Sequence, residues 1–173
     1  MENLQKPTKQ VALNYGLILG VLGIIQGLTF YAIGNAYGNE WYKAVISIAI
    51  TIVVIVLGIK EYKKRNNGFL TLGQGLKTGV GIALIASIIS AIYIFIFAKF
   101  IEPDFVENII EIQRQKFMEN PNMSEEMMDN IGENTRKYFY LFTIGYIFIA
   151  SIFIGFVVSL IASLVMKRTE ELH

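Results

Sequence analysis

The chain has 173 residues, 54% of them apolar and only 17% charged, with a formal net charge of +1. That balance excludes an ordinary soluble domain, and no nucleic-acid partner is expected of so few charges. There is no cysteine, and the one histidine is the last residue, His173. Disulfides, thiolate nucleophiles and His-based catalytic or metal sites therefore drop out, and neither an enzymatic activity nor a cofactor is expected.

Four apolar stretches, about 11–37, 44–59, 72–97 and 138–166, are read as spanning helices, since a hydrocarbon core needs roughly 20 residues of helix. Lys6 and Lys9 before the first stretch superficially resemble a signal peptide. The apolar run is too long for an h-region, so the span is expected to be retained. The second stretch is the shortest, but Trp41, Tyr42 and Tyr62 flank it as interfacial anchors. Gly38-Asn39-Glu40 makes a tight turn between the first two. The loop Lys60-Glu61-Tyr62-Lys63-Lys64-Arg65-Asn66-Asn67-Gly68 is basic, and Lys6, Lys9, Lys167 and Arg168 share its side. By the positive-inside rule that side is cytoplasmic, so both termini are inside and residues 99–137 are exported. A multi-pass protein of a bacterial inner membrane is expected.

The third span opens with Thr71 and, three residues on, Gln74, the pattern of a capping box. Asn66-Asn67-Gly68 supplies the preceding turn. Lys77 lies about 8 Å inside the helix start and is expected to snorkel to the headgroups. At the far end Pro103 pushes Glu102 towards an extended conformation. Glu102, Pro103 and Asp104 are therefore read as the joint between span and exported segment.

The exported segment, with nine acidic and five basic residues, reads as a helical hairpin. Phe105, Val106, Ile109, Ile110, Ile112 and Phe117 form an apolar stripe, with Glu107, Glu111 and Arg114 opposite. Asn120-Pro121-Asn122 makes the turn, and Ser124 caps a second helix whose Met123, Met127 and Ile131 are expected to meet the stripe. No breaker follows Glu133, so this helix is predicted to run unbroken into the fourth span.

Small residues mark the packing faces. Gly16, Gly20, Gly23 and Gly27 repeat along the first span, with Gly34 a heptad further. Gly75, Gly79, Ala83, Ser87 and Ala91 recur every fourth residue in the third, and Ser151, Gly155, Ser159 and Ser163 do so in the fourth. Lipid is as apolar as leucine, so such faces bring helices together through close backbone approach. The Ile- and Val-rich second span is expected to be the most lipid-exposed.

Several sharper chemistries weaken on inspection. The glycines around Lys77-Thr78 lack the Walker A spacing, and no strand precedes them for a dinucleotide fingerprint. Met118, Met123, Met127 and Met128 could in principle hold Cu(I), but their spacing suits helix packing. Glu102 and Asp104 could chelate a cation, though capping accounts for them. Asn122-Met123-Ser124 is a formal glycosylation acceptor with meaning only in a eukaryotic secretory pathway. Asn14, Gln26 and Lys77 are the polar residues inside spans, and no span carries an acid of the kind a proton-coupled transporter uses.

Thr71-Leu72-Gly73-Gln74-Gly75-Leu76-Lys77-Thr78-Gly79, followed at the end of the same span by Lys99-Phe100-Ile101-Glu102-Pro103-Asp104-Phe105, resembles a bacterial family of unknown function. Its members are small four-helix inner-membrane proteins, mainly from Bacteroidota, and the resemblance covers nearly the whole chain. It implies a location and a topology but transfers no catalytic residue. The expected fold is all-α: a single membrane domain over 1–173 with four spans and an extracytoplasmic hairpin between the third and fourth. The leading expectation is an interaction or assembly protein using that hairpin and the small-residue faces. Its partners would be membrane lipids, a second copy, or another membrane or periplasmic protein. The alternative is a small solute or ion conduit along Asn14, Gln26 and Lys77.

Overall fold

A computed structural model describes residues 5–38, 41–118 and 124–168. The Asn39-Glu40 turn, the Asn120-Pro121-Asn122 turn with Met123 and its glycosylation acceptor, and His173 all lie outside those residues. The elements are α1 Gln5–Ala32, α2 Trp41–Arg65, α3 Leu72–Ile96 with a π-helical turn Phe97–Ile101, α4 Phe105–Met118 and α5 Glu125–Met166. All but α4 belong to helices long and apolar enough to cross a membrane. As the pattern after Glu133 predicts, α5 runs without a break through 42 residues.

Contacts divide the chain into two compact units, one comprising residues up to Ser90 and from Ile147, the other Ala91–Tyr146. In the first, α1 and α2 are antiparallel: Ser47 Oγ donates to Gln26 Oε1 at 3.0 Å, and Gln26 Nε2 donates to the Lys43 carbonyl at 3.3 Å. Helices α1 and α3 are parallel. Ideal Cβ atoms at Gly16 and Gly20 would lie 2.6 Å from Ile85 Cβ and 2.6 Å from Ile89 Cδ1, so glycine lets the two backbones close.

Helices α3 and α5 are antiparallel and meet small residue on small residue. A Cβ on Gly75 would sit 2.8 Å from Ser163 Cβ, one on Gly79 2.7 Å from Ser159 Cβ, and one on Gly155 2.5 Å from Ala83 Cβ. The two four-residue periods of the sequence thus form one zipper, whose register sets the buried Ser87 level with Ser151. That register continues past both helix ends, where Leu70 and Arg168 pair as an antiparallel bridge through backbone bonds of 2.8 and 3.0 Å.

The buried core sits where α1 begins, α2 ends, α3 begins and α5 ends. It comprises Val11, Ala12, Val54, Ile55, Ile59, Tyr62, Leu70, Ile82 and Ala162. The capping box forms as expected, with Thr71 N–H donating to Gln74 Oε1 at 2.9 Å and Gln74 N–H to Thr71 Oγ1 at 3.3 Å. Asn67 and Gly68 take positive φ of 53° and 85°, and Gly68 N–H bonds the Lys63 carbonyl, a Schellman-type stop for α2. Lys63 Nζ donates to the Met166 carbonyl at 2.8 Å, satisfying an orphan acceptor at the end of α5.

Several sequence expectations are corrected here. The first span ends at Ala32 rather than Tyr37. Gly34 takes φ 72° while Gly34 N–H bonds Tyr31 O and Asn35 N–H bonds Phe30 O, so Gly34 is a helix stop and not part of a packing face. Gly23 has nothing within 4 Å of an added Cβ, so it also contributes no contact. The second span runs from Trp41 to Arg65, and its Val54, Ile55, Ile59 and Tyr62 belong to the core, so α2 is not the lipid-exposed helix. Tyr62, read as an interfacial anchor, is fully buried.

In the second unit the π turn closes with a 2.9 Å bond from Glu102 N–H to Phe97 O, and Glu102 adopts φ −132°, the extended form expected before proline. Asp104 then stands just before α4, its carbonyl accepting Asn108 N–H at 2.8 Å, while Asn108 Nδ2 donates to Glu102 Oε1 at 3.3 Å. A run of aromatic contacts braces this joint: Tyr93 on Phe97, Phe97 on Phe105 and Phe105 on Phe139, with centroids 5.6, 5.2 and 6.0 Å apart.

Candidate functional site

Helix α4 lies antiparallel to the first turns of α5, and the seam between them is built from charge as much as from apolar surface. Ile110 is buried against Gly132, where an added Cβ would lie 3.3 Å from Ile110 Cγ2. Gly132 is what lets α5 approach, and the sequence reading passed over it because it stands alone in a polar stretch. On either side of this contact the guanidinium of Arg136 grips Glu107 with two bonds of 2.6 Å, and Arg114 pairs with Asp129. Thr135 Oγ1 adds a 3.3 Å bond to Gln113 Oε1.

Two expectations fail in this seam. Glu107 and Arg114 were placed on the face opposite the pairing stripe, yet they reach across to α5. Residues 107, 110 and 114 share one helical row, so the row carrying Ile110 inward carries both charges to its edges. Met127, expected to meet the stripe, is 51% exposed. Its place is taken by Gly132 and by Phe139, which packs on Phe105.

A cleft of about 450 Å³ opens along the seam, lined by Glu107, Glu111, Asp129 and Glu133, by Arg114 and Arg136, and by Asn108, Ile110 and Gly132. Four carboxylates against two guanidiniums leave the lining acidic. With Arg136 paired to Glu107 and Arg114 to Asp129, Glu133 and Glu111, which accepts a 3.3 Å bond from Gln115 Nε2, are the lining carboxylates without an ion pair among the described residues.

The hydrogen bond from Arg136 holds the Glu107 carboxyl below its ordinary value of 4.5. A depressed carboxylate contributes to pairing in full above its unfolded value, and that contribution fades as pH falls through the depressed one. Protection of the α4 amides, taken relative to the intrinsic exchange rate at each pH, is therefore expected to fall only as pH drops below about 4.5. Glu107→Gln should remove this acid step, and an identical step in that variant would reject the assignment.

The intramembrane polar residues are not brought together. Asn14 and Lys77 are exposed on the surfaces of α1 and α3, whereas Gln26 is tied to Ser47 and the Lys43 carbonyl. Asn14 and Gln26 are also about 18 Å apart along one helix. The small-residue positions divide as well. Gly16, Gly20, Gly75, Gly79, Ala83, Gly155 and Ser159 make helix contacts within the chain, Ser87 is buried, and Gly27 is half-buried. The small-residue faces of α3 and α5, and the Gly16–Gly20 part of α1, are thus used within the chain. The sequence reading also missed Lys43, which sits over the Phe30 ring and donates to Asn35 and to the Gly38 carbonyl, fastening the chain between α1 and α2.

Four helices of spanning length, a core shared by helix ends and a charged seam on the short helix define an all-α, multi-pass membrane protein. The chain belongs to the family described as "Protein of unknown function (DUF4199)", whose model matches residues 14–168. No curated protein and no solved structure matches it.

Proposed function

We propose that the chain is a non-enzymatic recognition protein of a bacterial inner membrane that offers the α4–α5 seam to a basic segment of another membrane or periplasmic protein. The observation that carries this reading is the acidic cleft, with Glu111 and Glu133 left over after the two ion pairs form. In the orientation argued from the basic loop Lys60–Arg65, both termini are cytoplasmic and the seam faces outward. The carboxylates and the amide bind and orient cationic groups while the guanidiniums stay paired with Glu107 and Asp129, and this set of groups is not an activated nucleophile with its base. The engagement of the glycine faces within the chain directs recognition to the seam. The outward placement of Asn14 and Lys77 takes support from a conduit.

Photocrosslinking in native membranes tests the proposal. A photoreactive residue placed at Gln115, on the α4 surface beside Glu111, should yield a discrete protein adduct. The adduct should disappear when Glu111→Lys and Glu133→Lys are combined. An adduct that survives the double reversal, or none at all with the fold intact, would refute the reading.

A further inference from the structure

Close packing of α1 on α3 at the basic end of the first unit leaves a groove along their line of contact. Its walls follow from the helix contacts: Ala12 packs 3.0 Å from where a Cβ on Gly81 would stand, and Gly16 and Gly20 receive Ile85 and Ile89. Each contact joins residues 69 apart in sequence, so Lys9 stands level with Thr78 and next to Lys77. Both lysines are exposed, and among the described residues neither has an acid partner. On α1 the row continues outward through Leu13 and Leu17, and on α3 through Leu84 and Ile88. All four are exposed large apolar side chains. Gly73, one turn before Lys77, has open space around it and leaves room beside the ammonium.

The result is two unpaired cations at headgroup depth above a continuous apolar track, the shape and polarity of a phospholipid. Two like charges at one level at the edge of a low-dielectric layer repel each other, and one phosphate between them removes that repulsion. We propose that this groove holds one anionic phospholipid, its phosphate between Lys9 and Lys77 and its acyl chains along Leu13, Leu17, Leu84 and Ile88. The other basic residues of this end differ in kind. Lys63 caps α5, Arg65 pairs with Glu61, and Lys60 and Lys64 stand on α2, away from the groove.

The test is native mass spectrometry of the full chain released from nanodiscs containing phosphatidylglycerol and phosphatidylcholine. The wild type should retain one phosphatidylglycerol. Each surface lysine contributes roughly a fivefold gain in affinity, so Lys9→Gln with Lys77→Gln should lower occupancy about thirtyfold. Lys60→Gln with Lys64→Gln should leave the retained lipid in place, and Lys77→Arg should keep it. Equal loss from both glutamine pairs would show diffuse attraction to the basic end and overturn the site, as would retention by the Lys9/Lys77 variant. If the double variant does not fold, Lys9→Gln and Lys77→Gln tested singly should each lower occupancy about fivefold, and single variants that bind like wild type would overturn it equally.

Discussion

Replacing Gly79 by valine is expected to destabilise the folded chain by about 3 kcal/mol, the upper range for forcing added volume into a close-packed contact. A Cβ there meets Ser159 Cβ at 2.7 Å and Ile55 Cγ2 at 3.0 Å, and neither neighbour is the free end of a long side chain. The better helix propensity of valine recovers less than about 0.5 kcal/mol. Thermal unfolding in a mild detergent should show the loss. Gly23→Val, where an added Cβ meets nothing within 4 Å, should stay within about 0.5 kcal/mol of wild type. Adding Ser159→Gly to the Gly79 variant should restore part of the loss, because the pair is in direct contact and couples. Equal effects at Gly79 and Gly23 would mean that the α3–α5 zipper is not what holds these helices.

Leu70→Ala is expected to open the clasp between the α2–α3 loop and the end of α5. Leu70 is fully buried, and its backbone makes both bonds of the bridge to Arg168. Truncating a buried leucine costs about 2–5 kcal/mol in a well-packed site. Much of that cost should fall on local opening, since the bridge lies at helix ends. Trypsin cleavage at the exposed Lys167 and Arg168 should accelerate by roughly thirtyfold or more if about 2 kcal/mol goes into that opening. Unchanged cleavage would show that Leu70 does not secure the tail.

How much of this was legible in the sequence depends on whether a signal was local. The capping box of Thr71 and Gln74, the turn at Asn67-Gly68 and the extended Glu102 before Pro103 are short-range matters of backbone chemistry, and each forms as its residues dictate. The small-residue periods of α3 and α5 also stood out, since a glycine or serine every fourth residue in an apolar helix has few other uses. What escaped was the direction each face points. In a helix apolar all round, a buried face and a lipid face have the same composition, so nothing in the Ile and Val of α2 marked Ile55 and Ile59 as core. Gly34 was drawn into a heptad series because a helix-stopping glycine and a packing glycine read alike until φ is known. In the second unit the charged row misled for the opposite reason: charge usually marks the solvated face, yet Glu107 and Arg114 edge the seam and bind across it. Lys43 and Gly132 gave no signal because each acts alone.

The proposed topology, with the loop Lys60–Arg65 cytoplasmic and residues 99–137 exported, has a direct test in a chain with no cysteine of its own. Glu126→Cys, Lys64→Cys and Lys167→Cys each place a single thiol at an exposed position. With a membrane-impermeant maleimide on intact cells, the Glu126 variant should label at once, and the other two only after the membrane is opened. Labelling at Lys64 in intact cells, with Glu126 protected, would invert the topology and contradict the account.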